Sequence, residues 1–277
     1  MVDARRFALS GAAALCGKLA RNMAAQQILF NAFRINRSEA RAILLNEDLR
    51  FIAYCLARRD WSRSQIMQDL WVCFELGEKT GGYFVEFGAT NGLRNSNTWL
   101  LEKKLGWKGI LAEPNPLWHS DLAANRASCI EHKCVSAASG GIVTFITTNN
   151  TDPELSAIAD FSGGDHFALT RSQGERIQVE TISLDDLLEK YEAPSAIDYL
   201  SIDTEGSELE ILSSYSFRHR FKTISVETNK TTEDKIHQIL VSRGYTRVFK
   251  QFSQWDSWYV SEELRDGRTI SIIAPDS

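Results

Sequence analysis

The segment that most constrains the fold is YFVEFGATNG at residues 83–92, an apolar run with one acid followed by two glycines. Aromatic and β-branched residues from Tyr83 to Phe87 predict a central strand of a parallel sheet, buried on both faces. Gly88 and Gly92 lack a Cβ, so backbone N–H groups around them can approach a ligand closely. Open α/β sheets bind ligands at the carboxyl ends of their strands, where Glu86 lies. The segment therefore predicts a nucleotide-type pocket.

The spacing of the glycines indicates which nucleotide fits. Dinucleotide folds hold a pyrophosphate with G-x-G-x-x-G, whereas this segment is E-x-G-x-x-x-G, with one fewer glycine. S-adenosylmethionine has no phosphates, and its sulfonium, ammonium, carboxylate and ribose diol suit an acid with nearby amides. The alternative is an ordinary strand–turn–helix junction that binds nothing.

A second apolar run, GILAEPNP at residues 109–116, also contains an acid at its end, Glu113. Glu113 follows Glu86 by about one strand–helix–strand unit, so both acids should lie at the same sheet edge. A carboxylate there can accept both ribose hydroxyls. Between the two runs, a capping residue ahead of an apolar stretch predicts a helix within residues 95–102. The pair of acids favours a nucleoside site.

Several short motifs occur in a fixed order along the chain: FVEFGA at 84–89 with Gly92, SNT at 96–98, LE at 101–102, LGW at 105–107, EPNP at 113–116 and IDTEG at 202–206. Together they resemble the FkbM family of S-adenosylmethionine-dependent methyltransferases. The resemblance covers roughly residues 64–260. It departs from the family at residues 90–92, where Thr-Asn-Gly replaces the more usual Asn-Asp-Gly, so one polar contact to the cofactor is expected to differ.

The resemblance implies a Rossmann-like α/β methyltransferase fold, with a mostly parallel central sheet and an antiparallel C-terminal strand. Helical periodicity in residues 24–33, 38–58 and 64–76 predicts an α-helical N-terminal extension. The predicted divisions are the extension at 1–76, the methyltransferase domain at 77–263 and a tail at 264–277. A third strand is expected at 129–137 and an antiparallel strand at 142–148. The cofactor-binding residues implied are Glu86, Gly88, Ala89, Asn91, Gly92, Asn97, Glu113, Pro114 and Ser136, the last beside the adenine.

Three acids follow two further predicted strands, at residues 197–202 and 223–226. If both strands are parallel in one sheet, Asp203, Glu205 and Glu227 converge on the pocket and are the candidate catalytic residues. One of them can serve as general base for a hydroxyl acceptor. Alternatively, Asp203 and Glu227 can bind a divalent cation such as Mg²⁺. The third possibility is helix capping without chemistry. Asp203 and Glu205 belong to the family motif, which favours a site role, while base and metal stay open.

Composition excludes other classes. The chain has 31 basic and 36 acidic residues, a net charge of -5 and no dense basic cluster, so nucleic acid is not expected as a substrate. Its five cysteines are scattered singly, which predicts free thiols. Residues 3–15 superficially resemble an export signal, but Lys18 and Arg21 interrupt the apolar run. Without a stretch of the ~20 apolar residues that a span needs, we expect no membrane insertion and a cytoplasmic location.

The function predicted is transfer of a methyl group from S-adenosylmethionine to a hydroxyl oxygen of a saccharide, glycan or secondary metabolite. A catalytically silent binding protein of the same fold is one alternative. A nicotinamide-dependent oxidoreductase is another, which the missing glycine disfavours. Residues 149–173 are interpreted as a lid or a mobile loop, in which His166 is a rival base. Three C-terminal aromatics, Trp255, Trp258 and Tyr259, are candidates for stacking on a sugar ring or for core packing.

Overall fold

The computed structural model describes residue 18 and residues 22–35, 46–148, 156–159 and 174–266. The chain divides into two compact units, Met1–Tyr54 and Cys55–Ser277. The first contains helix α1, Met23–Ile35, which confirms the helix predicted at 24–33. Of the helix predicted at 38–58, the described part is α2, Glu47–Arg58, and residues 36–45 lie outside the described residues. None of the helices described is long and apolar enough to cross a membrane.

A seven-stranded sheet forms the centre of the second unit. Its strands are β1 Tyr83–Phe87, β2 Lys108–Ala112, β3 Cys129–Glu131, β8 Ala196–Ile202, β9 Arg220–Glu227, β10 Tyr245–Val248 and β11 Asp256–Ser261. They lie in the order β10-β11-β9-β8-β1-β2-β3. Strand β11 is antiparallel to β9 and β10, and the other pairings are parallel. The predicted mostly parallel sheet with an antiparallel C-terminal strand is confirmed.

A second sheet has the order β4-β7-β5-β6, with β4 Cys134–Ser136, β5 Ile142–Thr147, β6 Ala157–Ile158 and β7 Glu175–Ser183. The antiparallel strand predicted at 142–148 is confirmed as β5. The single strand predicted at 129–137 is wrong, because the chain leaves the central sheet after β3 and enters the second sheet as β4. Glu131 explains the break: its buried carboxylate accepts hydrogen bonds from Lys133 N and Lys190 Nζ, which turns the backbone. Residues 156–159, which include β6, are the described part of the predicted lid, and the rest of the lid, including His166, lies outside the described residues.

The helices around the sheet are α3 Gln68–Glu75, α4 Trp99–Leu105, α5 Pro116–Asn125, α6 Leu184–Lys190, α7 Glu208–Ser214, α8 Glu233–Ser242 and α9 Glu262–Asp266, with a 3₁₀ turn at Arg59–Trp61. Helix α3 is shorter than the 64–76 predicted. It belongs with the sheet, since Trp71 stacks on Trp258 of β11 with ring centroids 5.0 Å apart. The boundary predicted at residue 76 thus lies inside the second compact unit.

The core is built on the alternation of the central strands. Val85, Ile110, Leu200 and Ile224 come from four adjacent strands, are fully buried and belong to one hydrophobic cluster. Burying such side chains stabilises the sheet by roughly 1.5–3 kcal/mol each. Because β1, β2, β8 and β9 are parallel, their carboxyl ends emerge along one edge, and the polar residues that follow them are brought together there.

Candidate active site

The main cavity of the described residues opens at this edge and has a volume of about 460 Å³, within the ~300–1,000 Å³ usual for small-molecule sites. Of the predicted site residues, Glu86, Gly88, Asn97, Glu113, Pro114, Asp203, Glu205 and Glu227 line it. Ala89, Asn91, Gly92 and Ser136 do not lie among its lining residues. The structure therefore brings together both strand-end acids and all three predicted catalytic acids.

Glu86 is buried at the end of β1, and its carboxylate is occupied by the following loop. It accepts hydrogen bonds from Asn97 N at 2.7 Å and from the hydroxyls of Ser96 and Thr98. Arg126 lies 3.6 Å away as its counter-ion. Burial raises the pKa of Glu86, and Arg126 and the hydrogen bonds oppose that rise. Glu86 thus shapes the loop that forms the cavity wall.

Arg126, which the sequence motifs did not point to, is the hub of this loop. Its side chain is fully buried and forms a second ion pair with Glu102 at 3.0 Å. Its guanidinium also donates to Thr98 Oγ1 at 2.7 Å and to the carbonyl of Gly92 at 3.3 Å. Five N–H donors in one plane suit such a hub. A single arginine after a helix has no local signature, and only tertiary structure shows its role.

The backbone amides of the glycine turn were expected to face a ligand, but they are already used within the protein. Gly88 N and Ala89 N donate to the carbonyl of Ala112, and Gly92 N donates to that of Ala89. Thr90 N donates to Glu113 Oε2 at 2.8 Å. The reason is that β1 and β2 continue to pair past their ends. These amides tie the turn to the neighbouring strand instead of presenting a row of donors to a ligand.

The two glycines have packing reasons. A Cβ at Gly88 would lie 2.2 Å from the carbonyl oxygen of Asp203, and a Cβ at Gly92 would lie 2.5 Å from Arg126 Cγ. Both residues have positive φ, 73° and 72°. Gly88 therefore lets the ends of β1 and β8 approach each other, and Gly92 makes room for the buried arginine.

Asn91 shapes the same turn and does not line the cavity. Its Oδ1 accepts hydrogen bonds from the backbone N–H groups of Leu93 and Arg94. This is the local side-chain-to-backbone pattern typical of asparagine in turns. Asn91 therefore stabilises the turn, and its contact with the cofactor stays a prediction.

Glu113 lies at the end of β2 with 4% of its surface exposed. Its Oε2 accepts from Thr90 N and its Oε1 from Asn115 N, both at 2.8 Å. Burial raises the pKa of Glu113 to about 7 against these two hydrogen bonds. Each carboxylate oxygen has a second lone pair, so Glu113 can still accept two hydroxyl hydrogens from a ligand in the cavity.

The wall beyond Glu113 is more apolar than predicted. Cys134, Val135, Phe145 and Trp118 line it. Ser136, which was expected beside an adenine, instead pairs with Ser183 in the second sheet. The split between β3 and β4 causes the difference, because it changes which residues of this segment reach the cavity.

The three acids of the opposite wall come from two neighbouring strand ends. Asp203 follows β8, Glu227 ends β9, and Glu205 adopts a left-handed conformation with φ of 59°. One oxygen from each carboxylate lies within 4.8 Å of the others. A positive φ at a non-glycine residue is strained and is found preferentially at functional sites.

Crowding changes the protonation of these acids. Burial, followed by the neighbouring charges of Glu205, Asp256 and Glu208, raises the pKa of Asp203 well above its ordinary value. Burial and the charge of Asp203 likewise raise the pKa of Glu227. Asp203 and Glu227 are hydrogen-bonded to each other. The pair therefore retains a proton under conditions in which isolated carboxyls are ionised.

Helix capping does not account for Asp203 or Glu205, because α7 begins at Glu208 and its N-cap residue is Ser207. Glu208, the first residue of α7, is 2% exposed. Its Oε1 accepts from Thr204 N at 2.9 Å, Thr204 Oγ1 at 2.9 Å and Gly206 N at 3.0 Å, and so holds the turn that precedes the helix. The sequence offered one signal for this, an acid two residues after Gly206. Asp203 and Glu205 both line the cavity.

Gln68, the first residue of α3, also lines the cavity. Its Nε2 donates to Asp256 Oδ2 at 3.0 Å, and Asp256 is the cross-strand neighbour of Glu227. The next residue, Asp69, is fully buried and accepts from Ser62 Oγ at 2.6 Å at the start of α3. Gln68 thus reaches the site, whereas Asp69 is structural.

The three candidate stacking aromatics differ in how deeply they are buried. Trp258 and Tyr259 are fully buried, and Trp255 is 44% exposed and lines the cavity. Trp258 and Tyr259 are therefore core residues, which leaves Trp255 as the aromatic surface beside the acids.

The profile of the methyltransferase FkbM domain matches residues 86–256, which is more than half of the chain and includes Glu86, Glu113, Asp203, Glu205 and Glu227. The chain belongs to the FkbM methyltransferase family. The resemblance inferred from the sequence motifs is confirmed, and with it a methyltransferase fold. A comparison with curated proteins found no match.

Solved structures of methyltransferases are similar to this chain at low identity. The methyltransferase FkbM from Methylobacillus flagellatus KT is 12% identical, with a TM-score of 0.40 over 76% of this chain and 59% of that one. The chain thus spans about three-fifths of that relative's length. A putative RNA methyltransferase from Pyrococcus horikoshii is 10% identical, with a TM-score of 0.34 over 70% of this chain and 81% of that one. Precorrin-6y C5,15-methyltransferase from Geobacter metallireducens GS-15 is 13% identical, with a TM-score of 0.34 over 68% and 85%.

Proposed function

We propose that this protein transfers the methyl group of S-adenosylmethionine to a hydroxyl oxygen of a saccharide, glycan or secondary metabolite. The observation that carries the proposal is one cavity that holds a nucleoside-type acid, Glu113, and the cluster of Asp203, Glu205 and Glu227. The first supplies acceptors for a ribose diol, and the second supplies carboxylates where a hydroxyl would lose its proton. Membership of a methyltransferase family supports the same reading.

The order of the strands orients the cofactor in this proposal. Glu113 follows β2, Gly88 follows β1, Asp203 follows β8 and Glu227 ends β9, in the order of the sheet. Glu113 would hold the ribose of the cofactor, and the acids would lie where the acceptor meets the transferred methyl group. Transfer is an in-line displacement, so catalysis depends chiefly on aligning acceptor oxygen, methyl carbon and sulfur.

The acids have a chemical task in this arrangement. A sugar-type hydroxyl is far too weak an acid to ionise near pH 7, so its proton must move to a base as the new C–O bond forms. The crowding that raises the pKa of Asp203 and Glu227 makes either carboxylate a stronger base than an ordinary one. We therefore propose Asp203 as the acceptor of that proton, with Glu227 sharing it.

The same donor set fits a hard divalent cation. Three carboxylate oxygens within 4.8 Å of one another match the oxygen ligands that Mg²⁺ prefers. Asp203 and Glu227, with Glu205, would hold such an ion, which when bound lowers the pKa of a coordinated hydroxyl. Both assignments place the acceptor oxygen at the same residues, and chelation distinguishes them.

The acceptor is expected to lie against Trp255. The indole is exposed at the cavity that contains the acids, and its flat apolar face suits the C–H face of a sugar ring or a planar metabolite. An acid cluster beside an aromatic surface offers hydroxyl acceptors and an apolar contact together.

The test is a methyl-transfer screen with labelled S-adenosylmethionine against glycan, lipid and small-metabolite fractions of the host. We expect labelling by the wild type, loss by two orders of magnitude or more in Asp203→Asn, and retention in Asp234→Asn, an exposed aspartate of α8. Parallel reactions with chelator assign the acids: loss restored by Mg²⁺ indicates the cation, and persistence indicates the base.

Activity that survives both chelator and Asp203→Asn would refute the catalytic assignment. Binding of S-adenosylhomocysteine without transfer to any fraction would instead favour a catalytically silent protein. Binding of NADH in place of the sulfur nucleoside would favour the oxidoreductase alternative.

A further inference from the structure

The side-chain carbonyl of Asn97 is a buried acceptor in the cavity wall. Asn97 lies in the loop between β1 and α4, lines the cavity and is only 7% exposed. Its Nδ2 donates to Ser201 Oγ at 3.0 Å. Its Oδ1 is buried and has no hydrogen-bond partner among the described residues. Because an unpaired buried acceptor is costly, a donor from a bound ligand is the partner that this geometry calls for.

Three buried hydroxyls decide which way the Asn97 amide faces. Tyr199 OH and Ser225 Oγ are 2.6 Å apart, and Ser225 Oγ donates to Ser201 Oγ at 3.4 Å. All three residues are at most 1% exposed. Ser201 Oγ thus accepts hydrogen bonds from Ser225 Oγ and from Asn97 Nδ2, which occupy both of its lone pairs. The amide therefore turns Nδ2 toward Ser201, which leaves Oδ1 without a partner among the described residues.

The backbone of Asn97 is held as firmly as its side chain. Its N–H donates to Glu86 Oε1 at 2.7 Å, and Glu86 is the cross-strand neighbour of Ser201. Ser201 is in turn the neighbour of Ser225 on β9. The residue is therefore anchored on β1 and β8, and its carbonyl does not need to reorganise to meet a ligand.

We propose that Asn97 Oδ1 accepts a hydrogen bond from the ammonium group of S-adenosylmethionine, and that Ser201 is the positioning residue that orients it. The inference rests on the cofactor of the proposed function. Asn97 lies over β1 and β8, between Glu113 on one side and the acids on the other. The ammonium belongs to the chain that branches from the sulfur between ribose and methyl. The other donors of the cofactor belong to its nucleoside part, and a carbonyl cannot pair with its carboxylate.

Calorimetric titration with three stable ligands tests the contact. S-adenosylhomocysteine has ammonium and carboxylate, its decarboxylated analogue keeps only the ammonium, and 5′-methylthioadenosine has neither. Asn97→Ala should weaken the binding of S-adenosylhomocysteine and of its decarboxylated analogue about tenfold or more, as expected for the loss of a hydrogen bond to a charged group. Binding of 5′-methylthioadenosine should stay within about twofold of the wild type, since its groups do not reach Asn97.

A second pair of variants tests the role of Ser201. Ser201→Ala should weaken the binding of S-adenosylhomocysteine, because the Asn97 amide is then free to rotate. It should also raise KM for the methyl donor and leave kcat at saturation unchanged. The same change in an Asn97→Asp background should have little effect, since a carboxylate is an acceptor in either orientation. Ser213→Ala, on the exposed face of α7, serves as the serine control.

Equal weakening of all three ligands by Asn97→Ala would mean a structural role and overturn the inference. Sensitivity of S-adenosylhomocysteine without sensitivity of its decarboxylated analogue would assign Asn97 to the carboxylate and also overturn it. Unchanged affinity throughout would mean that water satisfies the carbonyl. Failure of the wild type to bind S-adenosylhomocysteine, by contrast, would refute the proposed cofactor itself and the inference with it.

Discussion

Gly88 offers a direct test of how closely the site depends on the approach of two strands. A Cβ at this position would lie 2.2 Å from the carbonyl oxygen of Asp203, inside the 3.0 Å below which such contacts essentially do not occur. Gly88→Ala must therefore push the end of β8 away from the end of β1. Asp203 is the residue displaced, so the perturbation acts on the proposed chemistry.

Gly106 is a matched control for the backbone strain. Its φ is 67°, against 73° at Gly88, and no described atom lies within 4 Å of where its Cβ would be. A left-handed alanine costs about 1–2 kcal/mol at either position, partly offset by a stiffer unfolded chain. Only Gly88→Ala adds overpacking, which costs a further ~1–3 kcal/mol.

Urea unfolding and methyl-transfer kinetics measure the two consequences. We expect Gly106→Ala to lose about 1 kcal/mol of unfolding free energy with its turnover intact. Gly88→Ala should lose about 2–4 kcal/mol and about 100-fold in kcat, as expected when a reacting group moves by about 1 Å. Equal destabilisation by the two substitutions, together with wild-type turnover in Gly88→Ala, would refute the argument from close approach.

Three further changes probe the rest of the site. Arg126→Met should cost about 3–5 kcal/mol in urea unfolding, because it leaves Glu86 buried without its counter-ion, whereas Arg218→Met, at an exposed arginine that pairs with Asp185, should cost at most about 1 kcal/mol. Since burial raises the pKa of Glu113 to about 7, the affinity for S-adenosylhomocysteine should increase as pH rises through 7 and the carboxylate ionises. The free protein should lose stability from pH 4.5 to 7 as that proton is given up. Glu113→Gln should lose less stability than the wild type over this range, and its affinity for S-adenosylhomocysteine should not rise through pH 7. Glu208→Ala should cost about 1–2 kcal/mol, because it leaves the backbone N–H groups of Thr204 and Gly206 without their acceptor, with Glu208→Gln close to wild type.

The strand-end acids were predictable because their signals are local. Each of β1, β2, β8 and β9 is a short apolar run followed by a polar residue, and a parallel sheet brings such ends to one edge. Glu86, Glu113, Asp203 and Glu227 were found in this way, and the structure places them on one cavity. The motifs also identified the family, since their joint order is specific.

The incorrect sequence predictions concern features that depend on contacts between residues far apart in the chain. The break between β3 and β4 depends on Glu131 meeting Lys190 from a distant helix, which no window of the sequence contains. Arg126 has no local pattern that separates it from surface residues. Strand β7 and helix α6 were not predicted from the sequence. Much of β7 is exposed, and exposed polar residues weaken the apolar pattern on which a strand prediction depends.

The glycine turn at residues 88–92 shows most clearly how local sequence information differs from long-range contacts. Apolar periodicity and glycine placement, which are properties of neighbouring residues, were enough to locate the turn and its strand. What the turn does was settled by atoms from elsewhere in the chain. Asp203 explains Gly88, Arg126 explains Gly92, and Ala112 takes the amides expected to face a ligand. Hydrogen bonds and close contacts across the sheet depend on distances of a few tenths of an ångström, and only the folded chain sets those distances.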